Sequence, residues 1–326
     1  MNPAASMPSN TLKNVLVVQY SQTGQLAAVT AKIIAPLQAD PNIAVRVETL
    51  QPEQPFPWPW PFLRFLDAVP ETVHLLPGRL KPLSLVGDEQ FDLVILAYQV
   101  WFLAPSQPIT AFLKNPLAQR VLRGKPVVTV IACRNMWLMA QEKTKALLSA
   151  AGARLIDNVA LVDPGSALAT LITTPRWVLT GRKNGFWGLP AAGLTDTQIR
   201  HSRRFGLALR EALLANREQG NPPLLDGLGA AQADPRLYFS ERAATRSFFV
   251  WGKLLMAVGR PGSWQRIPLL VLYAIFLVVM IVTIVPTSLA LQALLGPLMH
   301  PWLSKIKLQF EQPSGSSTER SHIYED

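Results

Sequence analysis

Three short stretches hold residue types that could do chemistry together. In VVQYSQTGQL, residues 17–26, an apolar strand runs into Ser21, Gln22, Thr23, Gly24 and Gln25, and a helix-forming stretch begins at Leu26. A helix that starts directly after such a turn presents free backbone N–H groups and the positive end of its dipole to an anion. The hydroxyls of Ser21 and Thr23 can donate too, and Gly24 lets the backbone come close. The turn contains no Lys or Arg, so it suits a terminal phosphate held by neutral donors rather than the polyphosphate of an ATP-type loop. The plainer alternative is that Ser21 and Thr23 only cap the helix.

The second stretch, AYQVWFLAPSQPITAFLKN, places Tyr98, Gln99, Val100, Trp101 and Phe102 just past another apolar run. Aromatic side chains there can stack on a flat conjugated ring and exclude water, or they can be ordinary core. The third, CRNMWL, offers Arg134, where a cation would stabilise an anionic reduced ring, and Asn135 beside it. For a proton-abstracting base the candidates are Tyr98 and His74, neither singled out by spacing.

These stretches need a scaffold that brings strand ends together. Apolar runs at 14–20, 43–50, 91–98, 125–133 and 154–162 alternate with helical patterns. Continuous apolar strands joined by helices predict an α/β fold, a doubly wound five-stranded parallel sheet covered on both faces. Ligands of such sheets bind at the carboxyl ends of the strands, where strand order reverses. The last helix is expected from Thr195, where TDTQ reads as a capping box, to about Arg217.

The expected organisation is a flexible N-terminus at 1–13, the α/β domain at 14–218, a linker at 219–236, an interfacial helix at 237–266, a membrane segment at 267–303 and a disordered tail at 304–326. Two aromatic-rich insertions, 51–67 and 171–190, interrupt the domain and are expected either to pack on its own surface or to form a lid or substrate channel, with 56–65 and 177–187 as an entry path facing the membrane. Residues 267–285 contain no charge, enough to span a bilayer core, either as one crossing or as a re-entrant hairpin. Upstream, Arg242, Arg246 and Lys253 fall within about 40° of one another on a helical wheel, with Phe248, Trp251, Leu255 and Val258 opposite, the profile of an interfacial helix.

Lys and Arg outnumber Asp and Glu by 31 to 21, giving a net charge of +10. That excess favours an anionic partner, and a phospholipid membrane accounts for it without nucleic acid. One cysteine, Cys133, excludes an internal disulfide and is read as a small buried residue. Four scattered histidines suggest no metal site. No signal-peptide pattern precedes Val15, so the domain is expected on the cytoplasmic side of the inner membrane.

YSQTGQL resembles the phosphate loop of flavodoxins, with Leu26 where that family usually has a last hydroxyl residue. The segment 97–115 is similar to the flavin-flanking loop of flavodoxin-like quinone reductases, with Ala97 and Gln99 in place of their Gly and Pro. The resemblance implies FMN bound by residues 21–26, 98–102 and Arg134 with Asn135, and NAD(P)H as a reductant. Together with PFPWPWPFLRFLD, IACRNMWLMAQEK and TTPRWVLTGRKNGFWGLP, these motifs resemble the bacterial proteins labelled dialkylresorcinol condensing enzymes. That resemblance implies a ketosynthase-type partner and a step in which a lipophilic dialkylcyclohexanedione is aromatised, one proton going to a base and a hydride to the flavin. A flavodoxin-like electron carrier and a cofactor-free scaffold are the competing readings; the basic charge and the apolar segment favour the enzyme. A chain ending at Glu218 is expected to fold by itself.

Overall fold

The computed structural model describes residues 12–220 and 223–324, with backbone alone at 284–286 and 288–299. Strand β1 (Lys13–Gln19) leads through a tight turn into α1 (Gln25–Gln38) and β2 (Ile43–Thr49). Two short helices, α2 (Phe62–Asp67) and α3 (Val69–Val73), precede β3 (Leu93–Tyr98), which ends at a minimal hairpin of β4 (Val100–Trp101) and β5 (Ala104–Pro105). There follow α4 (Gln107–Leu113), α5 (Pro116–Leu122), β6 (Pro126–Cys133), α6 (Leu138–Ala150), β7 (Arg154–Val162), α7 (Ala167–Thr180), α8 (Asp196–His201) and α9 (Arg203–Leu214). Two long helices, α10 (Tyr238–Val258) and α11 (Ile267–Glu311), complete the chain.

The five long strands form one parallel sheet in the order β2-β1-β3-β6-β7, so the order reverses between β1 and β3 as the apolar runs predict. Strand alternation assigns the faces. Val15, Val17, Leu93 and Ile95 pack under α1 and α9, whereas Leu16, Val18, Val94, Leu96 and Tyr98 face α4, α5 and α6. Helices α1 and α9 touch closely because of Gly206: a Cβ there would lie 1.9 Å from the carbonyl oxygen of Ile33. The TDTQ capping box is present, Thr195 accepting from Gln198 N at 3.2 Å, but Ser202 divides the expected single helix into α8 and α9.

Three expectations require correction. The stretch read as a linker completes the sheet edge: Leu224, Leu225, Leu228 and Ala230 are core, and Ala160 N donates to Ala230 O at 2.8 Å. The tail read as disordered docks beside it, with Gly229 N donating to Ser317 O at 2.6 Å and Arg320 N to Gly227 O at 2.7 Å. Ser314 Oγ donates to the buried Asp157 at 2.6 Å, and Asp157 also accepts from Leu224 N at 2.7 Å and Leu225 N at 3.2 Å. A chain ending at Glu218 therefore lacks part of its own core. The first half of the second insertion, 171–180, is the end of helix α7.

Helix α10 is also oriented otherwise than expected. Phe248, Trp251 and Leu255, assigned to the lipid, instead form a third apolar cluster with α2, α3 and the start of α11. Its exposed face carries Phe249, Val250 and Leu254 alongside Arg246 and Lys253. The wheel located the basic stripe, but neighbouring helices decide which apolar side is covered.

Candidate functional site

The turn Ser21–Gly24 lies at the carboxyl end of β1, beside the β3 exit loop at the reversal of strand order. Gly24 is the N-cap of α1 with φ of 80°, a left-handed conformation that glycine adopts without penalty. Gln22 N donates to Gln99 Oε1 at 3.3 Å, Gln25 N to Thr23 Oγ1 at 3.4 Å and Ala27 N to Ser21 Oγ at 3.3 Å. Among the described residues no acceptor faces the N–H groups of Thr23, Gly24 or Leu26. Orphaned donors at the start of a helix are the complement of a phosphate, so this turn fits a terminal phosphate. Ser21 is a capping residue here and lies outside the cavity lining.

A cavity of about 210 Å³ opens beside the turn, walled by the ends of β1, β3, β6 and β7 and by both insertions. Of the residues singled out in the sequence, Gln22, Thr23, Gln25, Leu26, Gln99, Val100, Trp101, Phe102 and Arg134 line it. Tyr98 does not. As an even member of the β3 face it points into the core, fully buried, and its hydroxyl donates to Gln141 Oε1 at 2.6 Å. Burial pushes its pKa upward, so it neither stacks on a ligand in the cavity nor serves as its base. His74 is also displaced: its Nε2 pairs with the Phe249 carbonyl at 3.0 Å on α10, away from the cavity. Asn135 faces a neighbouring cavity with His201 and Lys307.

Several lining residues lie outside the three motifs, in the insertions whose second reading is a lid or channel. Trp58, Trp60 and Phe65 come from the first insertion and Trp177 from α7; Trp58 meets Trp177 edge to face at 5.8 Å. Gln22 fastens this cover to the turn, donating through Nε2 to Pro57 O at 2.7 Å and accepting from Trp60 Nε1 at 2.9 Å. Trp60 N donates to Val178 O at 2.9 Å, joining the two insertions. Their aromatic density in the sequence was the available signal. Trp187, in contrast, is 94% exposed. Trp101 is wedged among Tyr20, Phe56 and Trp60 at ring distances of 5.9, 4.8 and 5.5 Å.

The polar wall is Arg134 and Asp163. Arg134 Nε donates to Thr170 Oγ1 at 2.9 Å and Nη2 to Ala167 O at 3.0 Å, which fixes a cation against α7; burial lowers its pKa, with Asp163 opposing. Asp163 accepts from Gly165 N at 2.8 Å and Gly193 N at 2.5 Å, so its carboxylate shapes two loops. Burial pushes the Cys133 thiol well above its ordinary range, which disqualifies it as a nucleophile.

Phe102 and Leu103 form the turn between β4 and β5 with φ of 49° and 59°, a conformation that two-residue hairpins usually reserve for Asn and Gly. The turn is held by what the side chains reach. Leu103 is buried, and Phe102 touches Phe65 at 4.8 Å and Phe248 of α10 at 6.3 Å. Phe65 and Phe102 thus belong at once to the cavity wall and to the apolar cluster of α10 and α11. A second link no motif revealed is Glu241 of α10, which is buried and accepts from Leu138 N at 3.2 Å and Met139 N at 2.8 Å at the start of α6. Burial pushes its pKa up to about 7.

No protein-family model and no curated protein matches this chain. Among solved structures, it is similar to a flavoprotein in complex with FMN from Lactobacillus acidophilus NCFM, at 13% identity and TM-score 0.37 over 46% of this chain and 93% of that one. It is also similar to a flavodoxin from the domain Archaea, at 12% identity and TM-score 0.34 over 62% of this chain and 98% of that one. The strand order, the reversal at β1 and β3 and the phosphate-type turn at the reversal make the fold flavodoxin-like.

Proposed function

We propose that the protein is an FMN-dependent oxidoreductase held at the inner membrane, its α/β domain on the cytoplasmic side, acting on a lipophilic cyclic substrate. The observation that supports this most is the double membership of Phe65 and Phe102: the wall of the cavity continues into the apolar cluster that seats α11. A water-soluble substrate would gain nothing from such a wall, and an electron carrier would gain nothing from a cover of Trp58, Trp60 and Trp177. FMN, when bound, supplies a hydride acceptor on a flat conjugated ring.

The residues present divide the remaining work. The N–H groups of Thr23, Gly24 and Leu26 would hold the phosphate, and the Arg134 cation would favour negative charge on the ring. The tryptophans exclude water, and Gln22 keeps their cover closed over the turn. The finer reading is aromatisation of a dialkylcyclohexanedione to a dialkylresorcinol, in which the ring loses one hydride and one proton. A ketosynthase-type enzyme that builds the ring is then the partner. The test is a visible spectrum of the purified full-length protein, followed by anaerobic addition of a dialkylcyclohexanedione. Bound flavin that bleaches as resorcinol forms supports the reading; a colourless, folded protein that does not take up FMN rejects it.

A further inference from the structure

Helix α10 and the first turns of α11 run antiparallel against each other. Arg266, at the start of α11, donates through Nε to Leu255 O at 3.1 Å and Gly259 O at 2.9 Å near the end of α10. Further on, Tyr273 and Phe276 pack on Trp251 at ring distances of 5.0 and 5.1 Å. Lys253 therefore lies beside residues 270–273, and Arg246 about 10 Å beyond it along the pair. Both cations are exposed, and neither pairs with a carboxylate among the described residues. Trp264–Thr283 is long and apolar enough to cross a membrane. A perpendicular crossing would carry residues 270–273 about 9–14 Å below Trp264, taking Lys253 into the hydrocarbon core and Arg246 deeper still, where unpaired cations are costly. The far end of α11 agrees. Trp302 stacks on Phe239 at 4.8 Å, Phe310 enters the main core and Ser314 bonds Asp157, so the continuous helix begins and ends on the same domain.

We infer that this antiparallel pair lies in the plane of one leaflet of an anionic phospholipid membrane and that α11 does not cross it. The inference rests on the membrane reading proposed above and specifies the surface and its orientation. On α10, Phe249, Val250 and Leu254 are exposed beside Arg242, Arg246 and Lys253, in an open groove of about 780 Å³. On α11, Val271, Ile275, Val278 and Val282 are exposed. Each stripe lies opposite the one its helix turns to the domain, Trp251 and Leu255 on α10 and Leu270 and Tyr273 on α11. The apolar side chains enter the boundary between headgroups and acyl chains, and the cations stay among the phosphates. Trp264, 74% exposed in the turn between the two helices, is placed as an aromatic anchor at the same level. A basic, apolar stripe of this kind suits a lipid surface better than an acidic protein, which would leave the valines of α11 uncovered.

The experiment uses the full chain bound to sealed vesicles of phosphatidylethanolamine and phosphatidylglycerol, in a Cys133→Ser background. Val250→Cys on α10 and Ile275→Cys on α11 each carry an environment-sensitive fluorophore, and lipids bearing a quencher either high or low on the acyl chain report its depth. Residue 275 is the deciding position, because a perpendicular crossing would put it about 16 Å past Trp264, at the bilayer centre. Stronger quenching of both labels by the shallow quencher is expected. Glu319→Cys on the tail should also react with an impermeant maleimide before detergent is added. A label at 275 quenched best by the deep lipid, a label at 250 that no lipid quenches, or a tail that reacts only after detergent overturns the in-plane surface while leaving membrane attachment intact. Protein that stays in the supernatant overturns the membrane reading itself. A C-terminal epitope on the otherwise unchanged chain, removed by protease added outside the vesicles, tests the side of the tail should a cysteine variant misfold. Arg246→Glu with Lys253→Glu should reduce binding to these vesicles severalfold and leave binding to uncharged phosphatidylcholine vesicles unchanged; no loss, or equal loss on both, overturns the contact of this face with anionic headgroups.

Discussion

Ending the chain at Glu218 should unfold it rather than release a soluble domain. The truncation removes Leu224, Leu225 and Leu228, which are 3%, 0% and 0% exposed. Full burial of a leucine side chain stabilises by about 1.5–3 kcal/mol, so the three together contribute about 5–9 kcal/mol. Domains of this kind are stable by about 5–15 kcal/mol, so most or all of the margin is lost. Asp157 loses its hydrogen bonds from Leu224 N, Leu225 N and Ser314 Oγ as well, leaving a carboxylate that these segments had enclosed. The proper reference is a chain in which residues 279–301 are replaced by a short Gly/Ser linker, because it keeps both docked ends without the apolar midsection. Urea unfolding followed by tryptophan fluorescence should show one cooperative transition for the reference and none for the truncated chain. Leu225→Ala in the reference should cost about 2–5 kcal/mol. A truncated chain that unfolds cooperatively at the reference midpoint would refute the conclusion that 223–324 completes the core.

Gly24→Val should lower flavin content sharply in a protein that still folds: the space around a Cβ there is open, so the penalty is the left-handed backbone, about 1–2 kcal/mol at the turn; unchanged flavin occupancy would remove the turn from the site. Phe102→Gly should relax a strained turn while opening the shared wall, raising KM for long-chain substrate more than for a short-chain analogue, as steady-state kinetics on both would show. Gly206→Ala should destabilise by about 1–3 kcal/mol in urea, because backbone rather than a movable side chain stands at 1.9 Å. Asp157 has its pKa raised by burial from 3.8 to about 6, so the folded state binds its proton more tightly than the unfolded state does. Asp157 should therefore add stability as pH falls from 7 through 6 towards 4, by about 3 kcal/mol at most, and Asp157→Asn should remove that part of the slope, leaving the part due to Glu241, when the two urea series are compared.

The local patterns were strong enough to determine the scaffold. Runs such as 93–98 have no charged residue at any position and are buried throughout, as a strand covered on both faces requires, and their alternation with helical stretches leaves a parallel doubly wound sheet as the consistent arrangement. The phosphate-type turn was equally legible, because a strand, a short polar turn with Gly24 and a helix start are adjacent in the chain. The length and apolarity of the segment after Arg266 were legible for the same reason: hydropathy is a sum over neighbours in sequence, and Trp264–Thr283 is one helix long and apolar enough to cross a membrane.

What the sequence left open depends on partners far away along the chain. Tyr98 looked like a ring-stacking residue because it ends a strand, yet the parity of its position on β3 turns it to the opposite face. Residues 223–235 and 312–324 have linker and tail composition, and they are structured because each supplies hydrogen bonds and apolar cover that the edge strand β7 lacks. Glu241 and Leu138 are about a hundred positions apart, so no spacing rule could pair a helix cap with its helix. Composition shows that α11 is apolar; only the tertiary structure shows that both its ends dock on the α/β domain, because such contacts join residues far apart in the chain and no local pattern encodes them.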